Sequence, residues 1–156
     1  MNYAANALPR IFSAFRGDEG QRAARRYGRR AGQSANQEMI ASIAYAGRLG
    51  NGSPASRDGW RFRGGGWLQL TGRDNYRRTG SALALDLEGF PEIVRTHYVS
   101  ALVAGHYFSK NVWSHLEGMD LEAAAQEATR RVNGPAMLGL EDRLEKTRLA
   151  AQAMAA

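Results

Sequence analysis

The stretch from Tyr45 to Tyr76, YAGRLGNGSPASRDGWRFRGGGWLQLTGRDNY, carries most of the information in this 156-residue chain. Between Gly47 and Gly66 it is rich in glycine and also contains Pro54, a composition that excludes any long regular element. Loops of this length are uncommon in compact helical domains, and those that occur are commonly functional. The stretch therefore predicts a long loop that carries a binding or catalytic site.

Polar and aromatic side chains cluster where this loop leads into the next helix. Gln69 and Thr71 share one face of an extended segment, and Asn75 follows one helical turn later, so these groups can converge to hold a water and a sugar acetamido group. Trp60 and Trp67 offer flat apolar surfaces of the kind on which sugar rings stack. A purely structural interpretation fits the same pattern: Thr71 caps a helix, Gln69 bonds to the backbone, and both tryptophans belong to the core.

The rest of the chain predicts a mainly α fold in one domain covering residues 1–156. Alternation from Trp60 to Phe62, and again from Trp67 onward, adds short strands that form a small β element. Apolar spacing, capping residues and helix breakers define the helices. The predicted helices are a segment through Leu8, Ile11, Phe12 and Phe15; Glu19–Tyr27, capped by Asp18; a helix opened by a Ser34/Gln37 capping box and ending near Ala46; a helix opened by a Thr71/Asp74 box and ending near Leu85; Tyr98–Ser109; a helix capped by Asp120 and ended by Asn133-Gly134-Pro135; and Glu141–Met154.

Charge is distributed unevenly along the chain. The formal net charge is +6, and residues 1–80 hold 14 arginines against 5 acidic residues. The densest group is Arg22, Arg25, Arg26, Arg29 and Arg30. Such a surface suits an anionic partner, a bacterial envelope for example, and it is also compatible with a simple solvated face. Because Tyr27 is the only aromatic residue among these arginines, the pattern argues against nucleic acid as the partner.

Metal, redox and membrane functions find little support in the composition. There is no cysteine, and His97, His106 and His115 are nine residues apart, which is not a metal-ligand spacing on a helix. We therefore expect no metal and no cofactor. No apolar run approaches the roughly 18 residues of a membrane span. The N-terminus lacks the pattern of a secretory signal, which predicts a protein that is cytoplasmic as synthesised and reaches the cell wall, if at all, by phage-type release.

Several segments together resemble glycoside hydrolase family 19, the lysozyme-like chitinases and the phage or bacterial endolysins. The matching segments are YAGRLGNG (45–52), DGWRFRG (58–64), QLTGRDNY (69–76), LALDLEGFPE (83–92), TRRVNG (129–134) and LEDRL (140–144). The resemblance implies a lysozyme-like helical fold with a cleft for an N-acetylated glycan, either chitin or peptidoglycan. It places Gln69, Thr71 and Asn75 on the family's water- and sugar-positioning residues. It also places Asn133 on a cleft asparagine and Arg143 on the arginine that organises the catalytic carboxylates.

The chain departs from the family where catalysis takes place. Inverting hydrolysis needs an acid and a base carboxylate about 6.5–9.5 Å apart, and the family carries its acid in a His-Glu-Ser motif that is missing here. Asn2-Tyr3-Ala4 resembles the segment that follows the base, so the resemblance places both glutamates before Met1 and identifies no catalytic residue in this chain. The family's Gly-Arg-Gly-x-Pro becomes Gly64-Gly65-Gly66-Trp67, and its Asn-Gly-Gly turn becomes Asn133-Gly134-Pro135.

The remaining carboxylates are not expected to replace the missing pair. Asp74, Glu141 and Asp142 lie in the first turns of predicted helices, where an acid is favoured by the helix dipole, and Asp58 lies in the loop. A proton donor near neutral pH needs apolar burial, which none of these neighbourhoods indicates. Three hypotheses follow: a glycan-binding relative with weak or lost hydrolysis, a scaffold reused by a phage or mobile element to inhibit a host protein through the arginine-rich half, and a fragment of an active endolysin.

Overall fold

The computed structural model describes residues 1–155, and these residues are mainly helical, as predicted. They form two compact units, residues 1–103 and the remainder from Ala104, with the boundary inside helix α6. The α-helices are α1 (Leu8–Ile11), α2 (Gly17–Tyr27), α3 (Gln37–Ala44), α4 (Asp58–Arg61), α5 (Arg73–Leu83), α6 (His97–Asn111), α7 (Leu121–Asn133) and α8 (Leu140–Ala155). Short 3-10 helices cover Ser13–Phe15, Pro54–Ser56, Pro91–Arg95 and Trp113–His115. Within residues 1–155, no helix combines the length and apolar character that crossing a membrane requires.

Two apolar clusters form the core of the first unit. The first cluster lies among α1, α2 and α3 and contains Leu8, Phe15, Ala24, Ile40 and Ala44. The second is built around α5 and the start of α6 and contains Phe62, Tyr76, Leu87, Val94, Val99 and Val103. Burial of each large side chain contributes about 1.5–3 kcal/mol. The glycine-rich stretch connects the last helix of the first cluster to α5 of the second, so both of its ends are attached to packed helices.

Four predicted helix starts can be compared with the observed caps. Asp120 was predicted as a cap and is confirmed, since its Oδ1 accepts a hydrogen bond from Ala123 N at 2.8 Å. The predictions of Asp18, Ser34 and Thr71 as caps were wrong. Asp18 lies inside the first turn of α2, whose cap position is Arg16. Asn36 caps α3 through its side chain, and Gly72 stands at the cap of α5 with a φ of +91°. Glycine reaches a positive φ at little cost. The close approach of the loop also requires a residue without a side chain at this position.

The loop region is more ordered than its composition predicts. The segment from Trp60 to Phe62 was predicted as a strand, but Asp58–Arg61 is helical and packs on α3. The β structure of the described residues consists of single bridges, Ala4 with Arg29, Arg30 with Gln33, and Gly65 with Leu70. The last bridge closes a tight turn after the loop. A mainly α fold with a small β element is therefore confirmed, although the element is shorter than a hairpin of two strands.

The second unit contains α7 and α8, which pack against each other. Thr129 of α7 is buried; its hydroxyl donates to Ala125 O at 2.7 Å and accepts a hydrogen bond from Arg143 at 3.2 Å. On the same helix, hydrogen bonds from Arg130 and then Arg131 lower the pKa of Glu127 to about 2. The hydrogen bond from Arg143 to Thr129 joins the two helices, whereas the ion pairs of Glu127 lie within α7.

Candidate functional site

The loop is attached to the start of α5 by a buried amide. Asn51 is 6% exposed; its Oδ1 accepts from the backbone N–H of Arg73 at 3.0 Å, and its Nδ2 donates to Tyr45 O at 3.1 Å. The side chain therefore joins the end of α3, the loop and the first turn of α5. Because both ends of the amide are satisfied, its burial carries no unpaired polar group.

A charged network lies next to this amide. Asp58 is 7% exposed; its Oδ2 accepts from Gly52 N at 2.9 Å and lies 3.5 Å from Nη1 of Arg73. The same guanidinium donates to Glu88 Oε1 at 2.7 Å. The hydrogen bond that Arg73 donates to Glu88, followed by the charge of Asp58, raises the pKa of Arg73 above its ordinary value. This network orders the loop that leads to the predicted sugar-binding residues.

Gly65 and Gly66, the last two of the three consecutive glycines before Trp67, both lie against Val94. A methyl group on Gly65 would lie 2.7 Å from a Val94 side-chain carbon and 2.9 Å from the Tyr76 hydroxyl oxygen. On Gly66, which also has a φ of +70°, it would lie 2.9 Å from Val94 O. Such distances leave no room for a side chain at either position. The departure from the family's Gly-Arg-Gly pattern therefore coincides with a turn that is packed directly on the second core cluster.

The predicted polar residues do come together, but not through an extended segment. Gln69 adopts a φ of +54° and its Nε2 donates to Gly66 O at 3.2 Å, so the predicted extended geometry is wrong. Nevertheless, a methyl group placed on Gly64 would lie 2.8 Å from Gln69 Oε1 and 3.2 Å from Thr71 Oγ1. The amide and the hydroxyl thus face the same point, beside the flat backbone of Gly64.

Thr71 and Asn75 are linked through the first turn of α5. The Thr71 hydroxyl donates to Gln69 O at 2.7 Å, and Asn75 Nδ2 donates to Thr71 O at 2.7 Å. The Asn75 Oδ1 accepts from Arg78 at 2.9 Å. Asn75 therefore holds the backbone that carries Thr71, and its amide group has fewer free positions for a ligand than the sequence pattern predicts.

The two tryptophans have different environments. Trp67 is 63% exposed, and its backbone N–H donates to the buried hydroxyl of Ser100 at 2.7 Å. The ring of Trp60 is partly buried, and the guanidinium carbon of Arg63 lies 3.8 Å from its centre. One face of Trp60 is therefore already occupied. Trp67 combines an anchored backbone with an exposed ring, as a stacking surface requires.

Asn133 and Arg143 lie in the second unit. Asn133 is exposed at the end of α7, and its Nδ2 donates to Leu138 O at 3.1 Å. Arg143 is partly buried on α8 and contacts Thr129. Both side chains stabilise the helical pair that carries them. Their assignment to a glycan cleft stays a prediction.

Carboxylates near the loop are paired with arginines. Within residues 1–103, the ion pairs that involve these acids are Glu38 with Arg57, Asp58 and Glu88 with Arg73, Asp74 with Arg77, and Glu92 with Arg63 and Arg95. A general acid needs a neutral, apolar neighbourhood. The described carboxylates of this unit that line the loop have charged arginines beside them instead.

Tyr76 fixes the turn that precedes Trp67. It is fully buried in the second core cluster, and its hydroxyl donates to Arg63 O at 2.9 Å. Burial raises the pKa of the hydroxyl; the charge of Arg95 opposes this effect and that of Glu92 reinforces it, so the hydroxyl stays a neutral donor. We expect Tyr76→Phe to lower the free energy of unfolding by about 1–2 kcal/mol, because the carbonyl loses its partner. Urea unfolding followed by circular dichroism measures this change.

Tyr98 is the matched control for that variant. Its ring is 74% exposed, and Tyr98→Phe is expected to leave the urea midpoint unchanged, since water replaces any contact of the hydroxyl. Equal stability of the two variants would show that the Tyr76 hydroxyl does not hold the turn.

Three positioning residues of this region were not predicted from the sequence: Asn51, Ser100 and Arg73. Only Asn51 carries a visible signal, because a polar residue between two glycines has no local helix or strand to satisfy its amide. Ser100 and Arg73 are recognisable only once the helices are packed.

The fold and the ordered loop define a mainly helical domain with a small β element, the architecture of lysozyme-like domains. No family model matches the chain. It is 37% identical over 106 residues to a glycosyl hydrolase family 19 domain-containing protein of Haemophilus influenzae, a match that covers 68% of this chain and 49% of that relative. The matched region thus spans about half the length of the relative. The resemblance to glycoside hydrolase family 19 is confirmed, and the chain is a relative of family 19 domains.

Proposed function

We propose that this chain binds an N-acetylated glycan, chitin or peptidoglycan, on the surface formed by Trp67, Gln69 and Thr71. The observation that carries the proposal is the 63% exposure of Trp67, on a backbone anchored to Ser100, next to an amide and a hydroxyl that face the same point. An exposed ring beside a few oriented polar groups is the usual composition of a ligand site. The relationship to a family 19 domain supports a sugar as the ligand.

We further propose that the 156-residue chain holds the glycan but hydrolyses it weakly or not at all. The ion pairing of Asp58, Asp74 and Glu88 supports this, because a paired carboxylate is poorly suited to donate a proton. The same surface would serve as a sugar-binding wall within a longer hydrolase. We place glycan binding ahead of the protein-inhibitor hypothesis, for which the described residues specify no partner chemistry.

Calorimetric titration with chitohexaose and with soluble peptidoglycan fragments tests the proposal. We expect binding by the unmodified chain and about tenfold weaker binding by Trp67→Ala, equivalent to about 1.4 kcal/mol. Trp113 is the matched control, because its ring is also 63% exposed but lies in the second unit. Trp113→Ala is expected to bind like the unmodified chain.

Two results would contradict the proposal. Absence of binding at millimolar glycan, or equal affinities for the two tryptophan variants, would remove the glycan site. Clearing of a peptidoglycan or chitin suspension by the purified chain would show that the loss of hydrolysis is wrong while leaving the binding site intact.

A further inference from the structure

A cationic face on the first unit is not used by the glycan site. It consists of the exposed residues Arg22, Arg25, Arg26, Arg29 and Arg30. Within residues 1–155, none of these five forms an ion pair, whereas eight other arginines do. Among the described residues, Asp18 and Glu19 in the first turn of α2 form no ion pair with them. A group of like charges costs stability through mutual repulsion, and a bound anionic ligand would reduce that repulsion.

The arginines stand on a well-fixed backbone. On α2, helical spacing places Arg22, Arg25 and Arg26 opposite the buried Gly20 and Ala24. After the helix ends, the chain is held at Arg29, whose N–H donates to Tyr3 O at 2.9 Å and whose carbonyl accepts from Ala5 N at 3.0 Å. The cationic groups are thus presented by a rigid support.

Gln33 organises the remainder of this face. Its Nε2 donates to the carbonyls of Arg26 and Gly28 at 3.1 and 2.7 Å, which satisfies carbonyl groups at the end of α2. Its Oε1 accepts from Nε of Arg30 at 3.0 Å, which leaves the outer nitrogens of that guanidinium available. The Gln33 side chain therefore orients the Arg30 guanidinium and also caps the end of α2.

A groove lies beside these arginines. It is lined by residues 4–6 and 29–34 and has a volume of about 860 Å³. Arg29 and Arg30 form part of its wall, so a polymer lying in the groove passes the cationic groups.

Local chemistry narrows the class of ligand. A guanidinium group can bind two oxygens of one phosphate at once, and it stays charged at all physiological pH values. Single-stranded nucleic acid needs aromatic platforms for its bases, yet Tyr27 is partly buried and lies beneath Arg26, at 5.3 Å from the ring centre. Insertion into a membrane needs an exposed apolar face, whereas the apolar side of α2 is packed into the core.

We propose that this arginine face binds a phosphodiester polymer that carries no bases, of the polyol-phosphate type. The fixed negative charges of such a chain match a group of permanently charged guanidinium groups, and the groove lined in part by Arg29 and Arg30 offers the chain a place beside them. The inference is independent of the glycan site, because it uses other residues and another ligand chemistry.

Binding of fluorescently labelled poly(glycerol phosphate), followed by anisotropy, tests the proposal. With about three neutralised phosphates, the affinity is expected to fall roughly twentyfold between 50 and 200 mM salt. Glutamine at all five positions, which keeps helix propensity, is expected to weaken binding at least tenfold. The matched control is R57Q/R77Q/R130Q/R131Q/R148Q, which loses the same five charges from ion-paired sites and is expected to bind within threefold of the unmodified chain.

Three outcomes overturn the proposal. Equal losses in the two quintuple variants would show that only net charge matters. Tighter binding of an oligodeoxynucleotide with the same number of phosphates would assign the face to nucleic acid. Absence of binding at 50 mM salt would remove the site. Should the glutamine variant fold poorly, a variant with lysine at the five positions keeps every charge. A severalfold loss of affinity for the polymer then supports bidentate recognition of phosphate by the guanidinium groups. Unchanged affinity contradicts that recognition.

Discussion

Replacing Gly59 with alanine is expected to reduce the free energy of unfolding by about 3 kcal/mol or more, the upper range for overpacking. A methyl group at this position would lie 2.3 Å from Ala41 O and 2.9 Å from the Cα of Ser42. Both atoms belong to the backbone of α3, so no side-chain rotation relieves the clash. Helix α4 must move away from α3 and carry the loop with it. Urea unfolding followed by circular dichroism measures the loss.

Gly105 provides the matched control on an ordinary helix. It lies within α6, and a methyl group there meets no atom within 4 Å. Gly105→Ala is expected to raise stability by about 0.5–1 kcal/mol, because alanine loses less backbone entropy on folding. Wild-type stability of the Gly59 variant would show that the contact between α4 and α3 is not tight.

Replacing Asn51 with alanine is expected to cost about 3 kcal/mol of stability, because Tyr45 O and the N–H of Arg73 both lose their partner. The same change frees the first turn of α5, which carries Asn75, from the loop. We therefore expect weaker binding of chitohexaose as well, by severalfold. Urea unfolding and calorimetric titration measure the two effects.

Asn111 is the control for the amide. It is exposed and makes one hydrogen bond, from its Nδ2 to Tyr107 O at 2.9 Å. Asn111→Ala is expected to change stability by less than about 0.5 kcal/mol, the range of ordinary surface substitutions. A loss below 1 kcal/mol for the Asn51 variant would mean that the buried amide does not hold the loop.

Features that depend on neighbouring residues were predicted well from the sequence. The helices that include Tyr98–Ser109 and Glu141–Met154 are present with ends shifted by one or two residues. The Asp120 cap is present because its hydrogen bond spans only three residues. The sequence also predicts that the glycine-rich stretch and the polar residues after it belong to one candidate site, because they are close along the chain.

The candidate site shows where local rules failed. Trp60 was predicted in a strand because aromatic alternation favours one, yet contact with α3 places it in a helix. Thr71 was predicted as a cap, but its hydroxyl turns back to Gln69 O. In each case a contact between distant segments outweighed a preference worth less than about 1 kcal/mol per residue.

The sequence by itself determined the mainly helical class, the relation to family 19 and the neighbourhood of the site, because periodicity, capping and motif spacing are properties of the chain. Tertiary structure alone decided that Trp67 is exposed while Trp60 is stacked against Arg63, and that Asn51 and Asp58 are buried. Exposure and hydrogen-bond partners depend on which distant atoms pack together. Local sequence patterns therefore do not predict the exposure of these side chains or their hydrogen-bond partners.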